Sequence, residues 1–296
     1  QRLFVDLGLS TIFVIEVVLA AFLATNVLNR ELENRTALTV LSKPVARPTF
    51  ILGKYLGVSG ALLTSMVFLG LVFLLAEVHG TLQTVTTPYH QPVLTFGISA
   101  VALAVAAGAA ANFLYGWAFT STTVLLGVPL LLLAYVLSLL FDTDWTPHAM
   151  STEFEPDIVV AIASLALGLL MLVAVAIAAS TRLGQLPTLA TTVVVFLVGL
   201  LSDWLFGRPI AALEARFAET APGDLSMFDA SHLLYWACRT AYAVVPNFQI
   251  FWLTDAITQG RSIPISYLVL AVPYGLLVIV ACLAIASALF QRREIS

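Results

Sequence analysis

The chain has 296 residues, of which 60% are hydrophobic and only 10% are charged, and its formal net charge is −4. A soluble domain of average composition carries about a quarter charged residues, so the composition excludes an ordinary soluble protein. The mild acidity weighs against nucleic acid as a partner. Two cysteines, Cys238 and Cys282, are too few for a disulfide framework.

Long apolar stretches recur along the chain, and each can cross a bilayer as a helix, which takes about 18–20 residues. There are seven of them: 8–28, 55–78, 93–115, 123–141, 158–180, 188–206 and 264–290. Backbone polar groups in lipid must be hydrogen-bonded within the chain, so each stretch is predicted to be helical. The sequence therefore predicts an all-α polytopic membrane protein, with 1–296 as a single transmembrane domain.

The most distinctive polar stretch is segment 29–54, between the first two spans. It holds five of the thirteen Lys and Arg residues of the chain. Basic residues favour the cytoplasmic side of a membrane, so we place this segment in the cytoplasm. Charged and apolar residues alternate at helical spacing until a proline interrupts them, as in Glu31, Glu33, Arg35, Leu38, Leu41 and Pro44. This pattern predicts a short docking helix, although a solvated loop fits the residues equally well.

Alternation of the spans from this segment gives the topology of the other connections. It places 116–122, 181–187 and the C-terminal tail inside, and it places 142–157 and 207–263 outside. The second half of 207–263 is apolar and aromatic, and it predicts two short helices at the outer membrane surface or dipping into it. This topology also puts the start of the chain outside. We therefore expect one further span upstream of Gln1 if the native N-terminus is cytoplasmic.

Four polar residues within or beside the predicted spans are candidates for a role in the membrane. Glu16 lies in the middle of the first span, and Asp203 lies near the outer end of the sixth, with Arg208 as a nearby partner. A carboxylate in lipid suggests a role by default, so both acids either line a polar path or are satisfied by hydrogen bonds between helices. Asn26 and Asn112 are predicted to form interhelical hydrogen bonds.

Motifs for catalysis and for nucleotide or metal binding are weak in this sequence. A GxxxxGK loop followed by Ser or Thr, which would bind phosphates, does not occur. The four histidines lack the spacing of a metal site. A GVSG stretch resembles the nucleophile motif of intramembrane proteases, but we interpret Gly53, Gly57 and Gly60 as helix-packing glycines. The sequence predicts no catalytic, cofactor or metal site in this chain.

The run from Asp6 to Gly57 resembles the type-2 ABC exporter permeases, including the permease of the nitrous-oxide reductase maturation system. The residues that carry the resemblance are Glu31 or Glu33, Arg35-Thr36, Leu41-Ser42-Lys43-Pro44-Val45, Arg47 and Gly53-Lys54. Three later motifs also resemble this family: Pro246-Asn247-Phe248 in the outer segment, Tyr274-Gly275 in the last span and Phe290-Gln291-Arg292-Arg293-Glu294 after it. The pair of spans 93–141 departs from the family's usual six spans as an extra hairpin.

This resemblance implies a permease subunit of an ATP-driven exporter in the bacterial cytoplasmic membrane. The permease would pair with a second copy or a homologue, and ATP and Mg would be bound by separate cytoplasmic ATPase subunits. Segment 29–45 would be the coupling helix that docks on the ATPase, and the outer helices within 228–260 would be re-entrant. The implied coupling residues are Glu31, Glu33, Arg35, Thr36, Leu38, Leu41, Lys43, Pro44 and Arg47.

Two other functions are compatible with the same spans. In the first, the subunit moves no solute and relays force to a periplasmic or membrane partner through 207–263 and the acidic loop 142–157. In the second, the chain is a secondary transporter driven by protons through Glu16. Sequence supports the second of these least, because no inverted repeat with broken helices is evident.

Overall fold

A computed structural model describes residues 2–33, 47–80, 89–219 and 230–291, and for 27–33 and Arg47 it describes the backbone alone. This part of the chain is helical, and its β structure is limited to an isolated bridge between Phe141 and Pro147. The prediction of an all-α polytopic membrane protein is confirmed.

The helices follow the predicted spans closely. They are α1 (Arg2–Glu33), α2 (Arg47–His79), α3 (Gln91–Tyr115), α4 (Phe119–Ser138), α5 (Pro156–Ser180), α6 (Gln185–Leu200), α7 (Arg208–Glu219), α8 (Ala230–Val244), α9 (Thr254–Thr258) and α10 (Ile265–Gln291). Within the described ranges, 6 helices are long and apolar enough to cross a membrane, or up to 7 if a bent pair is one span. The six are α1 to α5 and α10, and the bent pair combines α6 with the helical residues that follow it.

The sixth predicted span, 188–206, is bent in the structure. A π-helical turn, Asp203–Gly207, follows α6, and the two parts of the broken span meet at 57°. Pro209 gives the physical reason, because its ring has no N–H and clashes with the carbonyl group four residues earlier. The helix widens there, and the Arg208 N–H donates to the Asp203 carbonyl, five residues back.

The chain divides into two compact units. One is formed by Gln1–Ala20, Gly53–Leu169 and Leu253–Tyr267, and the other by Ala21–Leu52, Leu170–Trp252 and Leu268–Ser296. α5 contributes to both units and is the most enclosed helix, since 61% of its most apolar 18-residue stretch is buried, against 17% for α10. α5 is therefore surrounded by protein, whereas α10 leaves a wide apolar surface for lipid or another chain.

Glycines allow close helix contacts within the first unit. Gly127 on α4 faces Phe68 on α2, and a Cβ atom at Gly127 would lie 2.7 Å from the Phe68 ring. Gly108 on α3 faces the side chain of Thr123 on α4 in the same way. Such small-residue contacts are how membrane helices approach each other closely, because lipid supplies no hydrophobic force between them.

The glycines expected to pack at the start of the second span do not do so. A Cβ atom at Gly53, Gly57 or Gly60 would meet nothing within 4 Å in the described residues. Among the described residues the expectation of close packing there is wrong, since no neighbouring atom lies against these three glycines.

The turn after α8 provides the close contact of the second unit. The Phe248 N–H donates to the Gly199 carbonyl on α6 at 3.3 Å, and the Asn247 N–H donates to the Tyr274 hydroxyl on α10 at 2.8 Å. The Phe248 ring packs edge-on against Phe196, and Phe248 is only 2% exposed. Two of the family-like motifs, Pro246-Asn247-Phe248 and Tyr274-Gly275, are thus brought together and join α6 to α10.

We expect Gly199→Leu to lower the thermal unfolding midpoint of the detergent-purified protein. Even a Cβ atom at Gly199 would lie 2.6 Å from the Phe248 ring, and overpacking of this kind costs about 1–3 kcal/mol. Gly57→Leu is the matched control because its site is open, and its midpoint should stay near that of the unchanged protein. Equal shifts in the two variants would contradict the packing described for the turn.

Candidate functional site

The predicted coupling segment begins on a helical extension of α1. The apolar part of α1 ends at Asn26, but the helix continues to Glu33, which adds about 10 Å at 1.5 Å per residue. Glu31 and Glu33 therefore lie on helical backbone beyond the apolar stretch. α2 begins at Arg47 and carries Pro48 in its first turn, where a missing N–H breaks no helical hydrogen bond.

Most of the predicted coupling residues fall outside the described part of the chain: Arg35, Thr36, Leu38, Leu41, Lys43 and Pro44. For Glu31, Glu33 and Arg47 the structure gives helical backbone and no side-chain environment.

Both ends of this connection are attached to other helices of the second unit. The Gln185 side-chain amide at the start of α6 donates to Asn26 Oδ1 on α1 at 3.2 Å. The Phe50 ring on α2 stacks on the Phe290 ring on α10, with centroids 5.5 Å apart and planes at 15°. Both phenylalanines are buried. A force applied between α1 and α2 would therefore reach α6 through Asn26 and α10 through Phe50.

Glu16 is a buried acid in the apolar part of α1. Its side chain is fully buried. Ser65 on α2 lies beside the carboxyl group, but in the part of the chain that the structure describes neither carboxyl oxygen has a partner with good hydrogen-bond geometry. An unpaired carboxylate is costly in such a place, so the geometry leaves Glu16 as an unsatisfied polar group in mid-span.

The other two polar residues singled out from the sequence lie at turns. Asp203 is exposed in the π-helical turn, where its carboxylate lies against Gly207, and it forms no ion pair with Arg208 among the described residues. The Asn112 side-chain amide donates to the Trp117 carbonyl at 2.6 Å and so closes the turn between α3 and α4. Asn112 thus acts within one hairpin connection and not along a helix interface.

A polar cavity of about 440 Å³ lies in the first unit, at the end that carries loop 139–155. Five charged side chains line it: Arg2, Glu77, Glu155, Asp157 and Arg261. In the sequence only the acids of 142–157 form a visible group, because the two arginines come from distant parts of the chain. The signal that could have indicated this cavity is the cluster of acids after a span, together with the base at residue 261.

Hydrogen bonds connect the walls of this cavity. Arg2 Nη1 donates to the Thr258 carbonyl at 3.3 Å, and Asp157 Oδ1 accepts from the Ile263 N–H at 3.4 Å. The start of α1, the start of α5 and the segment around α9 are thereby joined, so the cavity is a formed feature of this end of the unit.

His90 has a structural role at the start of α3. Its Nδ1 accepts from the Val93 N–H at 3.4 Å and so caps the helix, and its Nε2 lies 3.5 Å from Glu153 Oε2. The side chain is buried. Among the described residues, no three His, Cys, Asp or Glu side chains are grouped to hold a metal ion.

Loop 139–155 is held by local contacts. The Trp145 ring packs edge-on against Phe96 on α3, with centroids 5.6 Å apart, and its Nε1 donates to Gln91 Oε1 at 3.1 Å. The Thr143 N–H donates to Asp142 Oδ1 at 2.6 Å, and the Thr143 hydroxyl donates to the same oxygen at 3.2 Å. These two hydrogen bonds to the ionised form lower the pKa of the Asp142 carboxyl.

The lowered pKa of Asp142 predicts a pH dependence of this loop. The ionised carboxylate is favoured by the folded loop, so its contribution is complete above the ordinary aspartate pKa of about 4 and is lost as the pH falls through the lower folded value. We expect Asp142→Ala to reduce amide protection in the loop at pH 6 and to have a progressively smaller effect as the pH falls below 4, as measured by hydrogen exchange. Asp144→Ala, an exposed acid of the same loop, is the control and should change little. A pH-independent effect of Asp142→Ala would show that the charge is irrelevant.

Comparison with known proteins agrees with the membrane architecture. Residues 6–146 match the family model described as ABC-2 family transporter protein. The matched region covers a little under half of the chain and runs from α1 through the α3–α4 hairpin. No curated protein and no solved structure matches the chain. The family match and the apolar helices support a multi-pass permease subunit of an ABC transporter.

Proposed function

We propose that this chain is the membrane-spanning permease subunit of an ATP-driven exporter in a bacterial cytoplasmic membrane. The observation that carries the proposal is the extension of α1 past its apolar part to Glu33, with α1 and α2 each attached to a further helix. A rigid, charged extension between two anchored helices suits a segment that receives a push from a soluble subunit. The match of 6–146 to a transporter family supports the same conclusion.

In this proposal the chain transmits movement across the membrane, and a separate ATPase subunit hydrolyses ATP. ATP and Mg bind to the ATPase, because the sequence contains no phosphate-binding loop. Segment 29–45 docks on the ATPase, where its charges fix the register of the contact. Closure of two ATPase subunits then displaces α1 and α2 and, through Asn26 and Phe50, α6 and α10. The complex contains a second permease copy or a homologue.

Charge reversal on the α1 extension tests the coupling. We expect Glu31→Lys combined with Glu33→Lys to lower permease-stimulated ATPase activity at least about tenfold, because like charges at a charged interface are repulsive. The measurement is ATP hydrolysis by the complete complex in nanodiscs, together with the amount of ATPase that co-purifies. Asp144→Lys, in loop 139–155, is the control and should leave both unchanged. Normal stimulation in the double variant would refute the proposed docking segment.

A force-relaying subunit that moves no solute is the second candidate. The observation that favours it is the surface of α8, where Leu233, Leu234 and Trp236 are each more than half exposed. Beside them, Tyr235 and Arg239 both donate to Glu214 on α7, at 2.9 and 3.2 Å. If ATP hydrolysis proceeds normally while no solute flux accompanies it, and Leu234→Asp abolishes the cellular function, this second candidate is the correct one.

Glu16→Gln separates the exporter from a proton-driven transporter. We expect this variant to retain ATP-dependent transport, because Gln has nearly the same volume and both Glu16 oxygens already lack hydrogen-bond partners among the described residues. Transport is measured in proteoliposomes with ATP and, separately, with an imposed pH gradient. Complete loss of transport in Glu16→Gln, together with gradient-driven uptake by the unchanged protein, would establish the proton-driven alternative.

A further inference from the structure

The α3–α4 hairpin ends in a turn with an unusual surface. The turn consists of residues 113–119, and Phe113, Leu114, Tyr115, Trp117 and Phe119 are exposed by 87%, 65%, 70%, 59% and 44%. No Asp, Glu, Lys or Arg occurs anywhere from Gln91 to Phe141. A connection that projects into water normally carries charged residues, and the turn between α5 and α6 carries Arg182.

Backbone hydrogen bonds close part of this turn. The Gly116 N–H donates to the Asn112 carbonyl at 3.0 Å, and the Trp117 N–H donates to the Ala111 carbonyl at 3.4 Å. Gly116 has a φ of 68°, a left-handed conformation that glycine adopts without strain and that allows this tight reversal.

Side chains bond two further carbonyl groups of the turn. The Trp117 carbonyl accepts from the Asn112 side-chain amide at 2.6 Å. The Ala118 carbonyl accepts from the hydroxyl groups of Ser121 and Thr122 at 3.1 and 2.9 Å. Each of these bonds lowers the cost of placing the turn against lipid, because acyl chains offer no hydrogen bonds.

The distribution of the apolar side chains indicates what covers them. Phe113, Leu114 and Tyr115 are consecutive in a helix, so they point in directions about 100° apart and surround the end of α3. A protein partner would cover one face of such a helix, whereas a fluid medium covers all of them. Aromatic residues with a polar edge, such as Tyr115 and Trp117, are enriched at the boundary between acyl chains and headgroups.

We propose that the 113–119 turn is a lipid-embedded anchor, seated in the headgroup boundary of the bilayer, and that it forms no part of the surface that binds soluble subunits. The occupant of this surface is the phospholipid bilayer. The α3–α4 hairpin thus crosses the membrane without presenting a loop to water on that side. The proposal rests on the turn alone and holds whether or not an ATPase binds the chain.

Cysteine accessibility in nanodiscs tests this placement without any assumption about sidedness. The background carries Cys238→Ser and Cys282→Ala, and single cysteines are introduced as Ala118→Cys in the turn or Gly184→Cys in the α5–α6 turn. Both sites are exposed, and a Cβ atom at Gly184 meets nothing within 4 Å. We expect a charged, water-soluble maleimide to label position 118 at least about tenfold more slowly than position 184, because lipid excludes the reagent. Denaturation in SDS should equalise the rates.

Comparable rates in nanodiscs would overturn the proposal. Slow labelling of position 118 only when an ATPase is bound would overturn it as well, in favour of a protein contact. A second readout uses a variant that retains Trp117 and replaces the other four tryptophans with Phe. Its fluorescence should be quenched more by brominated phospholipid than by aqueous iodide. The reverse order would contradict a lipid-embedded turn.

Discussion

The hydrocarbon interior of a bilayer supplies no hydrogen bonds, and this constraint shapes every part of the chain that crosses it. The long stretches of backbone satisfy it as helices. Where a helix must end or bend, other groups take over the bonding. The Arg208 N–H reaches back five residues to Asp203 in the bend, and the Phe248 N–H bonds to the Gly199 carbonyl. Glu16 departs from this rule, since its oxygens have no hydrogen-bond partner within the described residues.

Once hydrogen bonding is satisfied within each helix, shape decides how the helices associate. Glycine lets a neighbouring ring or carbonyl group approach the backbone, as Phe68 does at Gly127 and Phe248 does at Gly199. Each contact fixes one helix against another at short range. Hydrogen bonds such as that from Gln185 to Asn26 add directional contacts between helices. Short-range contacts of these kinds join the helices within each unit.

Apart from Glu16, the charged residues of the long membrane helices lie near the helix ends. The basic residues of 29–54 lie in a connection between two spans, and the charged side chains around the polar cavity lie at the end that carries loop 139–155. The α3–α4 hairpin carries no charge at all, and its turn is covered with aromatic side chains. Different surfaces of the chain therefore suit different partners. The charged segments suit contact with soluble proteins, and the aromatic turn suits contact with lipid.

The sequence by itself determined the helical class and the positions of the spans. A stretch of about 20 apolar residues is stable in the bilayer as a helix whatever its neighbours are, so this property is local. The sequence also pointed to the polar extension around Glu31 and Glu33 as distinct from the spans. Tertiary structure decided which glycines make contacts: within the described part of the chain Gly127 and Gly199 pack against neighbours, whereas Gly53, Gly57 and Gly60 do not. It also decided that Asn112 closes a turn and that Asn247 meets Tyr274, 27 residues away. These features depend on which surfaces face each other across the bundle, and no local stretch of sequence carries that information.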